Sequence, residues 1–205
     1  MKKIEKNKQQ KRNSLLNSAL QLFINKGFHK TSISEIVAQA GVAKGTFYLY
    51  FKDKYDLRNK LIVYKSNLIF RKAYTKMLQN KIPVFEDQVI FMIDSIIDQL
   101  IEDRSVVSFL SKHLSWSFFM NALIQSEPEH EDNIHDLFLN MLNQSAQQYE
   151  QPELMMYMII ELVSGTSYNA ILFEEPVPID QLKPHLYHLV RNILHSYEIK
   201  ESTVK

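Results

Sequence analysis

Cysteine is absent from the 205 residues. That excludes a disulfide framework, a thiolate metal site and a cysteine nucleophile. Glycine and proline are scarce, at four and six residues. Long periodic segments with so little punctuation predict an all-α fold. No apolar run approaches the roughly 20 residues needed to cross a bilayer. The longest, from Leu154 to Val163, follows Glu153 and is interrupted by Glu161. No membrane partner is therefore expected. The N-terminal MKKIEKNKQQKR lacks the apolar stretch of a secretory signal, so the expectation is a soluble, cytoplasmic protein. Local catalytic signatures are missing too: there is no glycine-rich phosphate loop, no G-x-S-x-G and no H-E-x-x-H. The protein is not expected to be an enzyme and no cofactor is implied, although a catalytic set assembled from distant residues would escape this test. A chain of this length can bury roughly 70% of its unfolded surface without covalent staples.

Net charge is close to neutral, at +1, yet its distribution is not. Residues 1–60 hold 13 Lys/Arg against 4 Asp/Glu, a net +9, and residues 61–205 hold 11 against 19, a net −8. A basic head on an acidic body is the electrostatic footprint expected of a nucleic-acid binder. Six of the 13 cations are Lys2, Lys3, Lys6, Lys8, Lys11 and Arg12, which would equally suit a solvated basic tail. Residues 1–8 are expected to be disordered or a loose arm.

The organising stretch is TSISEIVAQAGVAKGTFYLYFKDK, Thr31 to Lys54. Thr31 or Ser32 suits a helix N-cap, with Glu35 near the position that completes a capping box. Ile33, Ile36, Val37 and Ala40 recur at helical spacing. Gly41 follows, where a left-handed residue would end the helix. Val42 plugs the corner, and a second helix of about two turns runs to Tyr50. Helix, glycine turn, helix is the layout of a helix-turn-helix, whose second helix enters the DNA major groove. Upstream, Leu15, Leu16, Ala19, Leu20, Phe23 and Ile24 trace a buttressing helix from about Lys11 to Lys26, ended by Gly27. Phe23, Phe28, Ile33, Ile36, Phe47 and Phe51 form the expected core of this three-helix head.

On the DNA side, Lys44 can donate to guanine O6 and N7 or to a phosphate. Gly45 permits close backbone approach, and Thr46 and Leu49 suit base edges or a thymine methyl. Tyr48 and Tyr50 carry hydroxyls fit for phosphate oxygens. Lys54 and the pair Thr31 and Ser32, each at a helix start, are further phosphate candidates.

The run Gly41, Val42, Lys44, Gly45, Thr46, Phe47, Tyr48, Tyr50, Phe51 and Lys54 resembles the TetR family of bacterial transcriptional regulators, whose DNA-binding segment reads G-V-x-K-G-T-F-Y-x-Y-F-x-x-K. No position of the pattern is violated. The motif covers only about residues 10–60, and beyond it the resemblance is one of length and helical pattern. It implies an all-α fold with an N-terminal helix-turn-helix DNA-binding head, residues 1–53, and a C-terminal helical ligand-binding and dimerisation bundle, residues 54–205. It also implies a homodimer that reads a pseudo-palindromic double-stranded operator, with half-sites about 34–36 Å apart.

Beyond the head, helices are expected over Lys54–Gln79, Val84–Ile101, Ser105–Gln125, Asp132–Tyr149, Pro152–Phe173 and Ile179–Tyr197. The first is capped by Asp53, turns Leu57, Leu61, Tyr64, Leu68 and Ile69 inward, and links the two parts. The last two carry apolar stripes. Leu154, Met158 and Leu162 on one, and Leu186, Leu189 and Ile193 on the other, are the candidate dimer surface that the resemblance points to, though the same stripes would serve as monomer core. Aromatic and methionine side chains crowd the body. Trp116, Phe119 and Met120, with His113, Tyr168 and Asn169 as polar anchors, are candidate ligand contacts for a small apolar or amphipathic effector. They suit an ordinary core as well. His130, Glu131 and His135 have ligand-like spacing, but a solvated acidic helix start explains them and no metal is expected.

The resulting expectation is a DNA-binding repressor whose operator affinity an effector lowers. Open alternatives are a similar regulator controlled by a protein partner or acting as an activator, and, more remotely, a helical enzyme.

Overall fold

The computed structural model describes residues 2–110 and 134–199. The chain divides into two compact units, Met1–Lys65 and Ser66–Lys205. Every regular element among the described residues is a helix, and the only extended pairing there is an isolated antiparallel bridge between Tyr149 and Glu198.

The first unit holds α1 (Lys2–Lys26), α2 (Ile33–Ala40), α3 (Lys44–Tyr48) and the first part of α4 (Lys54–Asn80). The stretch expected to be a loose arm is instead the start of α1. Its Lys, Gln and Glu residues are good helix formers, nothing in it breaks the helix, and the packed segment from Leu15 onward supplies a nucleus to propagate from. α1 ends at Gly27, whose φ of +84° is the left-handed cap conformation, and its N–H bonds to the Phe23 carbonyl at 3.0 Å. Phe28 then folds back edge-on against Phe23, ring centroids 5.1 Å apart.

The core of this unit is Leu15, Leu16, Ala19, Phe23, Ile36, Val37, Phe47, Phe51, Leu57 and Leu61, all buried. Side-chain bonds set the antiparallel pairing of α1 with α2. Ser14 Oγ donates to the Ala40 carbonyl at 3.0 Å, Gln39 Nε2 to Gln21 Oε1 at 2.8 Å, and Lys26 pairs with Glu35. Asp53 caps α4, its Oδ1 accepting from the N–H groups of Tyr55 and Asp56 at 2.8 Å each.

The second unit contains the remainder of α4 with α5 (Phe85–Glu102), α6 (Arg104–Leu110), α7 (Ile134–Asn143), α8 (Pro152–Leu172) and α9 (Ile179–Ser196). Along α4, Ala73 and Met77 are buried whereas Leu68, expected to face inward, is exposed. The helical stripe drifts, so the inward register of the first turns is not kept by the later ones. α7 stops at Asn143 instead of continuing to Tyr149. Ser145 turns its hydroxyl to the Gln147 N–H at 3.1 Å, a local bond that competes with helical pairing. The segment before α8 then pairs with the chain end, Glu150 N–H donating to the Tyr197 carbonyl at 2.9 Å and Ile199 N–H to the Gln148 carbonyl at 2.8 Å.

α8 packs on α9, and both touch α5. Met155, Met156, Ile159, Ala170 and Ile171 of α8, Leu186, Val190 and Leu194 of α9, and Val89, Met92, Ile93 and Ile97 of α5 are buried.

Candidate nucleic-acid interface

The α2–turn–α3 segment is assembled by short-range signals. Ser32 is the N-cap of α2, in extended conformation, and its Oγ accepts from the Glu35 N–H at 3.2 Å. Glu35 Oε2 accepts in return from the Ser32 N–H and hydroxyl, at 2.8 Å each, which completes a capping box. The Lys26 ammonium, and then the Ser32 N–H and hydroxyl, hold the Glu35 carboxyl down to about 2. Gly41 ends α2 at φ +67°, and Val42 N–H bonds back to the Val37 carbonyl at 3.0 Å. A side chain at Gly41 would meet no atom, so the backbone conformation, not space, is what requires glycine there.

α3 is anchored by aromatic rings from beneath. Phe47 and Phe51 are fully buried, with centroids 5.5 Å apart. The opposite face is left to solvent: Lys44 and Gly45 are exposed, Tyr48 is 53% exposed and Leu49 is 80% exposed. An apolar side chain that open, at the end of a helix so firmly rooted, is aimed outward by its neighbours. The turn after α3 is fastened by Lys60, whose Nζ donates to the Tyr50 carbonyl at 3.1 Å and lies 3.5 Å from Asp56 Oδ2. Asp56 also accepts from the Lys52 N–H at 2.8 Å. These two side chains were not singled out from the sequence, and their i,i+4 spacing was the available signal.

The structure therefore brings Lys44, Gly45, Thr46, Tyr48, Leu49 and Tyr50 together on one short segment, with Thr46 and Tyr50 half-buried. It employs Thr31 and Lys54 differently from the phosphate role expected of them. Thr31 is 2% exposed, and its hydroxyl donates to the Gly27 carbonyl at 2.9 Å, with the Leu22 carbonyl at 3.3 Å. Lys54 Nζ donates to the carbonyls of Phe28 and Thr31 at 2.8 Å each and sits 4.5 Å from the Phe28 ring centroid. Both side chains lock the loop between α1 and α2, because the start of α4 abuts it. Ser32 is at the surface, but its hydroxyl is already occupied by the capping box.

Residues 15–61 match the family model described as bacterial regulatory proteins, tetR family. The head, residues 15–61, is therefore of the kind found in bacterial regulatory proteins of the tetR family. Among curated relatives, the fatty acid metabolism regulator protein of Bacillus subtilis is 42% identical over 52 residues, 25% of this chain and 27% of that protein. The transposon Tn10 TetC protein of Escherichia coli is 48% identical over 61 residues, 30% of each chain. The chain thus matches less than a third of the length of these curated relatives. Solved structures resemble it along almost its whole length, as fold alone. The fatty acid degradation regulator FadR from Bacillus halodurans has a TM-score of 0.56 at 20% identity, covering 87% of this chain and 96% of that one. FadR from Bacillus subtilis, solved in complex with stearoyl-CoA, has a TM-score of 0.53 at 18% identity, covering 89% and 95%. The TetR head plus helical bundle is accordingly the architecture of this chain.

In the bundle, Met158 and Leu162 of α8 and Leu189 and Ile193 of α9 line one open groove, with Glu161, Asn192 and Ser196 also on its wall. Leu154, on α8 as well, is 42% exposed. Leu186 does not belong with them. It is 1% exposed and packs inside the protomer, so it has no surface to offer a partner. The inward row of Leu186, Val190 and Leu194 and the outward row of Leu189 and Ile193 are offset by one residue, about 100° of rotation around α9.

Of the candidate ligand contacts, Tyr168 is half-buried with its ring 6.0 Å from that of Phe173, and Asn169 is exposed at the surface of α8. His113, Trp116, Phe119 and Met120 lie outside the described residues, as do His130 and Glu131 and the His135 side chain. Among the described residues no cluster of three His, Asp or Glu could hold a metal, and no helix is long and apolar enough to cross a membrane.

Proposed function

We propose that the protein is a homodimeric repressor that binds a pseudo-palindromic double-stranded operator through α3, with operator affinity lowered by a small apolar or amphipathic effector bound in the second unit. The observation that carries the DNA part is the outward face of α3. Lys44, Gly45, Tyr48 and the 80% exposed Leu49 lie on a helix whose buried face is pinned by Phe47 and Phe51. Lys44 reads guanine or holds a phosphate, Gly45 brings the backbone close, and Leu49 meets bases.

The dimer is supported by the groove of Met158, Leu162, Leu189 and Ile193, apolar side chains left at the surface of two packed helices. The effector is supported by the methionine- and aromatic-rich body and by the stearoyl-CoA held in FadR of Bacillus subtilis, a fold of the same kind that takes in a long apolar chain. Tyr168 and the sequence neighbours His113 and Trp116 are assigned to that site. Regulation is a population shift. An effector that lowers operator affinity tenfold must prefer the low-affinity state by about 1.4 kcal/mol. α4, which belongs to both units, carries the shift. No catalytic step is assigned.

The test is fluorescence anisotropy on DNA from upstream of the protein's own gene, at two salt concentrations, with wild type beside a Lys44→Ala/Tyr48→Ala double variant. Tight wild-type binding that weakens steeply with salt and is lost in the variant is the expected result. Equal, weak binding of both proteins to this DNA and to random DNA overturns the reading. Acyl-chain ligands are then titrated against the complex with Trp116 fluorescence as the reporter. His113→Ala and Tyr168→Phe variants with unchanged affinity would remove those two residues from the site.

A further inference from the structure

We infer that the first three turns of α1 form a second, sequence-independent contact surface for the DNA backbone, separate from the recognition helix. The inference rests on the DNA-binding reading above. Leu15 is the first residue of α1 buried in the core, and Ser14 Oγ, bonded to the Ala40 carbonyl at 3.0 Å, holds α1 beside the last residue of α2. Because α1 and α2 are antiparallel, the part of α1 preceding Ser14 projects past the end of α2. That is the end at which Gly41 turns the chain into α3 and Lys44. At 1.5 Å per residue the projection is about 18 Å long, roughly half a DNA turn.

Its composition suits a polyanion. Residues 2–12 carry five Lys and one Arg against the single Glu5. Lys6, Lys8 and Lys11 are exposed, and so is Ile4, at 66%. Pairs such as Lys2 with Lys6 and Lys8 with Arg12 are four apart, a like-charge spacing that opposes the helix in isolation. A row of phosphates relieves that repulsion, and the helix already stands beside the groove reader.

The experiment uses the full chain and compares wild type with Lys6→Gln/Lys8→Gln/Lys11→Gln, glutamine being a comparable helix former. Affinity is measured from 50 to 200 mM salt on the upstream DNA and on random DNA. Each phosphate contact contributes about 0.9 to the log–log salt slope, so with three lysines in each of two protomers wild-type affinity should fall about 1,800-fold further over that range than the variant's. The loss should be equal on both DNAs, and Lys6→Arg/Lys8→Arg/Lys11→Arg should keep the wild-type slope. Identical slopes for wild type and glutamine variant overturn the inference while leaving the reading of α3 intact. A loss confined to the upstream DNA also overturns it, because the lysines would then be reading sequence. A wild type without preference for the upstream DNA fails the reading of α3 itself, and the inference with it.

Discussion

The two units of this protein use polar side chains in opposite ways. In the head, many of them act on backbone groups, across 26 residues of chain or fewer. Ser32 and Glu35 box the start of α2, Asp53 caps α4, and Lys60 ties the Tyr50 carbonyl. In the body, a row of side chains four residues apart on α9 reaches across to α5. Lys183 Nζ lies 2.7 Å from Asp94 and 2.6 Å from Asp98, Tyr187 donates to Asp94, Arg191 pairs with Glu86 and lies 2.9 Å from Asp87, and His195 lies 2.9 Å from Glu86. The head uses polarity to start and stop short helices, and thereby to aim one of them. The body uses it to register two long helices whose apolar faces alone would slide. The head's bonds named above span 26 residues at most, while the seam in the body is made by pairs 85 to 109 residues apart.

The sharpest way to break the comparison is at the aromatic root of α3. Phe47→Ala removes a fully buried ring and should cost about 3–5 kcal/mol, most of the stability of so small a unit. Chemical denaturation should show the head melting well before the body. A single unchanged transition would mean that the units do not fold separately.

Next in size are the glycines. Gly41→Ala places a side chain at φ +67° and should lower head stability by about 1–2 kcal/mol. Gly45→Ala lies within α3 with open space around it, so stability should hold or rise by up to about 1 kcal/mol while DNA affinity falls. Equal DNA affinity for Gly45→Ala and wild type would show that the backbone does not approach the duplex there.

A smaller effect is expected from the body's seam. Burial alone would raise the Asp94 carboxyl, but hydrogen bonds from Lys183 and Tyr187 outweigh it and hold it below the ordinary aspartate range. Its folded value being depressed, the stabilisation is complete above about pH 4, the unfolded value, and fades as pH falls through the folded one. Lys183→Met should cost about 1 kcal/mol at pH 7, since Asp94 and Asp98 are about half exposed, and the difference from wild type should shrink in acid. A difference independent of pH would assign the loss to packing.

The smallest effect is at the capping box. Glu35 should remain ionised to about pH 2 by NMR titration, and Lys26→Met should move its midpoint upward. Its contribution, like that of Asp94, is present above the unfolded value of about 4.3 and is lost as pH falls through the folded one. An unmoved midpoint would credit the shift to Ser32 alone.

Much of the head was legible in the sequence because its signals are short. A serine three residues before a glutamate, a glycine after an apolar helix, and paired aromatics each have one low-energy local solution. The helix-turn-helix and the outward face of Lys44 to Leu49 follow from those. Tertiary structure alone decided how the longer side chains are spent. Lys54 and Thr31 sit where a phosphate site was expected, but the loop from Phe28 to Thr31 folds against them and takes their donors. Leu186 and Leu189 are alike in type and nearly adjacent, yet one is core and the other surface, because a partner helix covers only one side of a broad stripe. The seam between α5 and α9 leaves only a spacing of four on α9 in the sequence, and its partners on α5 are decided where two distant helices are packed in one particular register. Local physics determined the elements and the face of the reader helix. Packing between distant residues determined which of the remaining side chains were left for a partner.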